Sequence, residues 1–164
     1  MKAEVLRYFF KLTLGTLSLL LASQTLRAQI ELKLAVAPDG KTYSVYARPD
    51  STINPSTDTY TGTGQITLVV PNGFEYTNFQ EISGDWNYQP PFVSIVKAPV
   101  ENPSKDYISI GLNDDLPQIV YQAGQETLLF TFERVGSCLG EIYLIDNDTD
   151  PFAQLPNSAG TNPG

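Results

Sequence analysis

Apolar residues in this chain recur at every second position and almost nowhere at the three-to-four spacing of a helix. A period of two sends alternate side chains to opposite faces of an extended strand, so each such run predicts a strand with one buried face. Leu32, Leu34 and Val36 alternate with Glu31, Lys33 and Ala35. After a turn at Pro38-Asp39-Gly40, Tyr43, Val45 and Ala47 continue as the second arm of a hairpin. Ile66, Leu68 and Val70 share one face of a strand that stops at Pro71-Asn72-Gly73, and Ile108, Ile110 and Leu112 share one face of the run from Asp106. Leu128, Phe130 and Phe132 stand against Thr127, Thr131 and Glu133, and Glu141–Ile145 turns Ile142 and Leu144 inward. Phe74–Ile82, Phe92–Val96 and a short edge at Gln118–Tyr121 read as less regular strands, and Pro49–Thr63 as a polar surface loop. About eight or nine short strands, parted by Gly, Pro, Asn and Asp clusters, predict an all-β, two-sheet antiparallel β-sandwich. A closed barrel is the alternative.

The first 28 residues follow a different rule. Lys2, Arg7 and Lys11 surround the start of an apolar run, Leu12–Ala22, and Arg27-Ala28-Gln29 comes after it. Basic, then apolar, then small is the order of a secretory signal peptide. The run is about half the ~20 residues that a bilayer span needs. The expected organisation is a signal peptide over 1–28, a β-sandwich domain over 29–150 and a linker-like segment over 151–164, rich in Pro, Asn, Gly, Ser and Ala. An end of that composition is expected to lead into further domains. The mature chain is expected outside the cell or on its surface, with no membrane span after cleavage.

Removing residues 1–28 leaves six basic residues against seventeen acidic ones, a net charge of −11 with no histidine. Such a surface repels nucleic-acid phosphates and has no basic stripe to neutralise them. Without histidine, Ser–His and Cys–His nucleophiles and histidine-based zinc sites are excluded. A glycine-rich phosphate loop of the G-x-x-x-x-G-K type is also missing. Paired carboxylates remain as the chemistry of glycoside hydrolysis, with Glu75, Glu81, Asp85 and Asp106 to supply them. Any acidic domain offers such candidates, so the reading is a protein that is not an enzyme. The single cysteine, Cys138, permits no internal disulfide; its place before an apolar strand reads as a small, partly buried hydrophobe.

Two clusters are candidate sites. Asp146, Asp148 and Asp150 alternate with Asn147 and Thr149, giving the oxygen ligands that Ca²⁺ prefers. Asn113 and Asp114, followed by Asp115, form a second oxygen-rich loop that could close on the first. Pro151 stands where an EF-hand loop needs glycine and Asn157 where it needs glutamate, so calcium, the one cofactor the sequence offers, would be bound in another way. A solvated acidic loop is the simpler account. The second cluster is aromatic: Phe74, Tyr76, Phe79, Trp86, Tyr88 and Phe92. Trp86 and Tyr88, with Asn87 and Gln89 beside them, would hold a sugar face if the rings are exposed. Sandwiches also bury a tryptophan between their sheets, and burial would leave the sugar reading without a site.

Ile66–Phe74, a strand running into a Pro-x-Gly-aromatic turn, resembles an early strand of cohesin-like sandwiches, as does Gly124–Phe132 followed by Gly140–Leu144. An export segment ending in Ala28-Gln29 resembles those of bacteria that use type IX secretion for large surface proteins. The similarity covers most of residues 30–146, and its motifs are shared by many immunoglobulin-like sandwiches. It implies a non-catalytic structural, adhesive or protein-binding module of a secreted surface protein, and no binding residue of the family carries over. A carbohydrate-binding module is the alternative, so the partner is a protein or a polysaccharide at the cell surface. N-terminal sequencing of secreted material should give a start at or near Gln29; an intact chain retained in the inner membrane would contradict this.

Overall fold

The computed structural model describes residues 30–50 and 61–164. The expected signal peptide and most of the 49–63 loop lie outside them. Every regular element among the described residues is a strand: β1 (Ile30–Val36), β2 (Thr42–Pro49), β3 (Gln65–Pro71), β4 (Tyr76–Glu81), β5 (Asp85–Asn87), β6 (Ser94–Lys97), β7 (Lys105–Asp114), β8 (Thr127–Arg134) and β9 (Tyr143–Leu144). They form two antiparallel sheets, as the period of two predicts. The first has the order β1-β2-β8-β4. In the second, β5 and β6 lie end to end along one side of β7, and β3 then β9 follow on the other.

The first hairpin shows how the turn chemistry sets the register. The Asp39 carboxylate accepts the Thr42 hydroxyl and the N–H groups of Thr42 and Lys41, and Gly40 takes a φ of +69°, where glycine pays no steric cost. Those bonds, the Thr42 hydroxyl foremost, hold the Asp39 carboxyl down at about 2. Tyr43, Val45, Phe130 and Phe132 of the first sheet then meet Ile66, Leu68, Ile108 and Ile110 of the second in one buried core. Each such side chain contributes roughly 1.5–3 kcal/mol by leaving water.

Alternation fails at one place in β8. Its pairing with β2 slips between Val45 and Tyr46, so Phe130 opposes Val45 while Leu128 opposes Tyr46. The extra residue, Leu129, is buried in the core, and Leu128 is turned to the other face and only half-buried. A single inserted residue exchanges the two faces of a strand, so the expected inward triad of 128, 130 and 132 becomes 129, 130 and 132. Gln118–Tyr121 is not a strand either. The buried Asp115 carboxylate takes the N–H groups of Ile119 at 2.7 Å and Thr61 at 2.8 Å, and Tyr121 makes an isolated bridge. Cys138, expected to be partly buried, is exposed in the loop before β9.

The outer face of the second sheet is covered as well. Thr67, Val69 and Tyr107 point away from the main core yet are buried, Val69 and Tyr107 under Phe152 and Thr67 against the Pro163 carbonyl. The Tyr107 and Phe152 rings lie 4.6 Å apart. The Tyr107 hydroxyl donates to Asp150 at 2.9 Å, and the same carboxylate takes the Phe152 N–H at 2.8 Å. Burial, chiefly, pushes the Tyr107 phenol above its ordinary range. Asn157 donates to the Phe152 and Thr161 carbonyls, each at 2.7 Å, and Ser158 is held by Glu101. Residues 151–164, expected as a linker, therefore form a strap across β3 and β7. Phe152→Ala should cost about 3–5 kcal/mol in urea denaturation, the range for emptying a buried phenylalanine site; wild-type stability would contradict the strap.

Candidate functional site

The two sheets part along the flank where β4 ends the first and β6 borders the second, leaving a cleft of about 620 Å³. The turn at Pro71-Asn72-Gly73 forms its end wall: Phe74 N–H donates to Pro71 O at 3.1 Å, and Gly73 takes a φ of +77°. Asp106 falls on the inward face of β7 and is buried, but its carboxylate is filled by backbone donors. It takes the Ala98 N–H at 3.0 Å and the Gly73 N–H at 3.3 Å, tying that turn to the end of β6.

A bulge in β4 makes the cleft aromatic. Between Thr77 and Gln80 the strand gains one residue on β8, and Asn78 takes a φ of +50°, a conformation that asparagine tolerates better than most residues. Strict alternation would send Phe79 away from Tyr76; the added residue brings both to the inner side. Phe79 then stacks between Phe130, at 4.8 Å, and Tyr88, at 4.0 Å and nearly parallel. Phe74 and Tyr76 pack edge-on against Phe132. The Tyr76 hydroxyl donates to the Tyr88 carbonyl, and burial, with a smaller contribution from the Tyr88 phenol, raises the Tyr76 phenol above its usual range. Ile95 and Ile108 form the opposite wall; Glu75, Asn78, Gln89 and Lys97 supply polar groups.

Of the residues expected to bind a sugar, only Tyr88 and Gln89 line this cleft. Trp86 is 5% exposed, edge-on to Phe130 at 5.2 Å, with its indole N–H on the Ser83 carbonyl at 2.8 Å. Gly84 explains how tightly it is held: a β-carbon there would stand 3.1 Å from the indole nitrogen and 2.8 Å from Leu112. Trp86 is thus a core residue, and the paired platform of Trp86 and Tyr88 is lost. Asn87 follows it on β5 and alternates to the other face. The sequence signal for the cleft was the aromatic run itself; which rings would face out depends on the bulge, which no period reveals.

The acidic loops are separate. Asn113 and Asp114 end β7, whereas Asp146 follows β9, and β3 lies between those two strands. Asp146 accepts the Thr149 hydroxyl at 2.6 Å and the Asp148 N–H at 3.0 Å, which hold its carboxyl below the usual range. Asp148 is exposed, Asp150 serves Tyr107 and Phe152, and Asn113 donates to Asp85 at 2.7 Å. Among the described residues no three Cys, Asp or Glu side chains are gathered to hold a metal. The carboxylates considered for hydrolysis are dispersed too: Glu81 accepts the Trp86 N–H and Asp85 the Asn113 amide, leaving Glu75 and Asp106 at the cleft.

Compared with known protein families, with curated proteins and with solved structures, the chain matches none. No helix among the described residues is long and apolar enough to cross a membrane. The chain has one tryptophan, so its fluorescence reports Trp86 alone. Emission should be blue-shifted and resistant to aqueous quenchers in the folded protein. Quenching as efficient as that of the urea-unfolded chain would contradict the burial of Trp86.

Proposed function

We propose that this chain is a non-catalytic module of a secreted surface protein, and that it binds a protein partner in the cleft between β4 and β6. The cleft carries the proposal: a concave, aromatic-floored space at an open flank of an otherwise packed sandwich. Protein interfaces draw their affinity from aromatic and aliphatic anchors set in such pockets. Phe92, 74% exposed and bonded through its N–H to the Gln89 carbonyl, extends the apolar surface beside the cleft. Glu75 and Lys97 give the cleft a charged fringe. The absence of histidine from the sequence and the export segment support binding over chemistry. No metal enters the proposal.

A sugar ligand is the second reading, favoured by one feature. The stack Phe130–Phe79–Tyr88 runs from the core to the cleft, beside Gln89. A pyranose face would extend it by one layer, a contact worth on the order of 1 kcal/mol.

Selection of a displayed random-peptide library on the chain, with Tyr88→Ala as counter-target, distinguishes the two. Enriched peptides should lose at least about tenfold in affinity for Tyr88→Ala and for Ile95→Asp, roughly 1.4 kcal/mol. Retardation by a polysaccharide gel that vanishes in Tyr88→Ala would instead assign the cleft to sugars. If neither occurs and both variants melt like wild type, the cleft is not a binding site.

A further inference from the structure

The strand edges of this sandwich are not equally protected. β4 is interrupted by its bulge, β5 has three residues, β6 four and β9 two. β1 runs for seven residues in unbroken register with β2, with neither proline nor glycine. No described strand pairs with its outer side, and such a plain edge offers a row of backbone groups that proteins usually blunt or cover.

Among the described residues its apolar row is uncovered as well. Register places Leu32 opposite Ala47 and Leu34 opposite Val45, so the even-numbered residues of β1 share the core-facing side. Leu34 packs onto the core, but Ile30, Leu32 and Val36 are 38%, 39% and 56% exposed. The facing strand, β9, is too short to roof them. The backbone agrees. Ala37 N–H donates to Thr42 O at 2.8 Å, and alternate residues of an antiparallel strand bond to one neighbour. Residues 31, 33 and 35 therefore bond to β2, while 30, 32 and 34 present their N–H and C=O groups to the open edge.

We propose that a second copy of the chain occupies this edge, β1 pairing antiparallel with β1 of the copy about a two-fold axis at Leu32. The charges select both the occupant and the register. Centred on Leu32, the pairing sets Leu32 opposite Leu32, Ile30 opposite Leu34, and Glu31 opposite Lys33 of the copy, twice by symmetry. Centring on Lys33 or on Glu31 would set like charges against each other. Lys33 is already held on the outer face, over the Tyr46 ring and 2.9 Å from Glu126, the face on which Glu31 of the copy would arrive. The two apolar rows join on the inner side, each sheltering the other. This edge lies on the flank away from the cleft and stands independently of what the cleft binds.

Sedimentation equilibrium of the chain, expressed in full and purified in the form the host accumulates, tests the proposal. A monomer–dimer equilibrium is expected. Glu31→Lys and Lys33→Glu should each weaken it about tenfold, since each creates two like-charge contacts. The double variant E31K/K33E should return it to within about threefold of wild type. Both positions are exposed, so circular dichroism should show every variant folded. A monomer up to about millimolar concentration, a dimer indifferent to the single changes, or a double variant as weak as the singles would each overturn the proposal.

Discussion

Strand β3 is buried on both faces: Ile66, Leu68 and Val70 meet the first sheet, and Thr67 and Val69 lie beneath the C-terminal strap. Antiparallel sheets commonly leave one face in water; here a third layer is required, and it is built from little apolar material. Phe152 supplies the hydrophobic contact, and hydrogen bonds supply the rest. The buried Thr67 hydroxyl is shared with Ser109 and the Pro163 carbonyl, and the Tyr107 hydroxyl with Asn102 and Asp150. A buried hydroxyl without partners would cost about 1–3 kcal/mol, so the polar groups of the strap are needed for β3 to stay dry.

With that face covered, the two flanks of the sandwich remain open, and they differ physically. At β4 and β6 the backbone is irregular: Asn78 and Ala98 both take positive φ, and Pro99 closes β6. The surface there is made of side chains, with the rings of Phe74, Phe79 and Tyr88 lining the cleft. At β1 the backbone is regular, so that flank presents a continuous strand edge. The two flanks thus present different surfaces, side chains at an irregular edge on one and a regular strand edge on the other.

Much of the fold was legible in residue spacing. The β1–β2 hairpin followed from alternation around Pro38-Asp39-Gly40, and the inward rows of β3 and β7 followed from Ile66, Leu68 and Val70 and from Ile108 and Ile110. The bulges at Leu129 and Asn78 were not legible, because an inserted residue changes which face a side chain occupies without changing the local composition. Phe152 was hidden for another reason. A single aromatic among Pro, Asn, Gly and Ser carries no period, and its burial depends on Tyr107 and Val69, far away in sequence. The candidate site was half legible: the aromatic run marked the neighbourhood, but Trp86 fills the core while Tyr88 reaches the cleft. Asp146 and Asp150 have the chemistry of calcium ligands, and among the described residues their carboxylates take the local geometry of turn-forming residues, a use that composition does not reveal.

Burial of Val69 and Tyr107 under Phe152, with the Thr67–Pro163 bond, makes the strap and β3 one cooperative unit. Residue-resolved hydrogen exchange of the full chain tests it directly, because units that open together exchange together. The amides of Asp150 and Phe152, bonded to Asp146 and Asp150, should fall in the same slow class as those of β3 and β7. Exchange of 150–163 at the rate of an unstructured peptide, with β3 still fully protected, would contradict it.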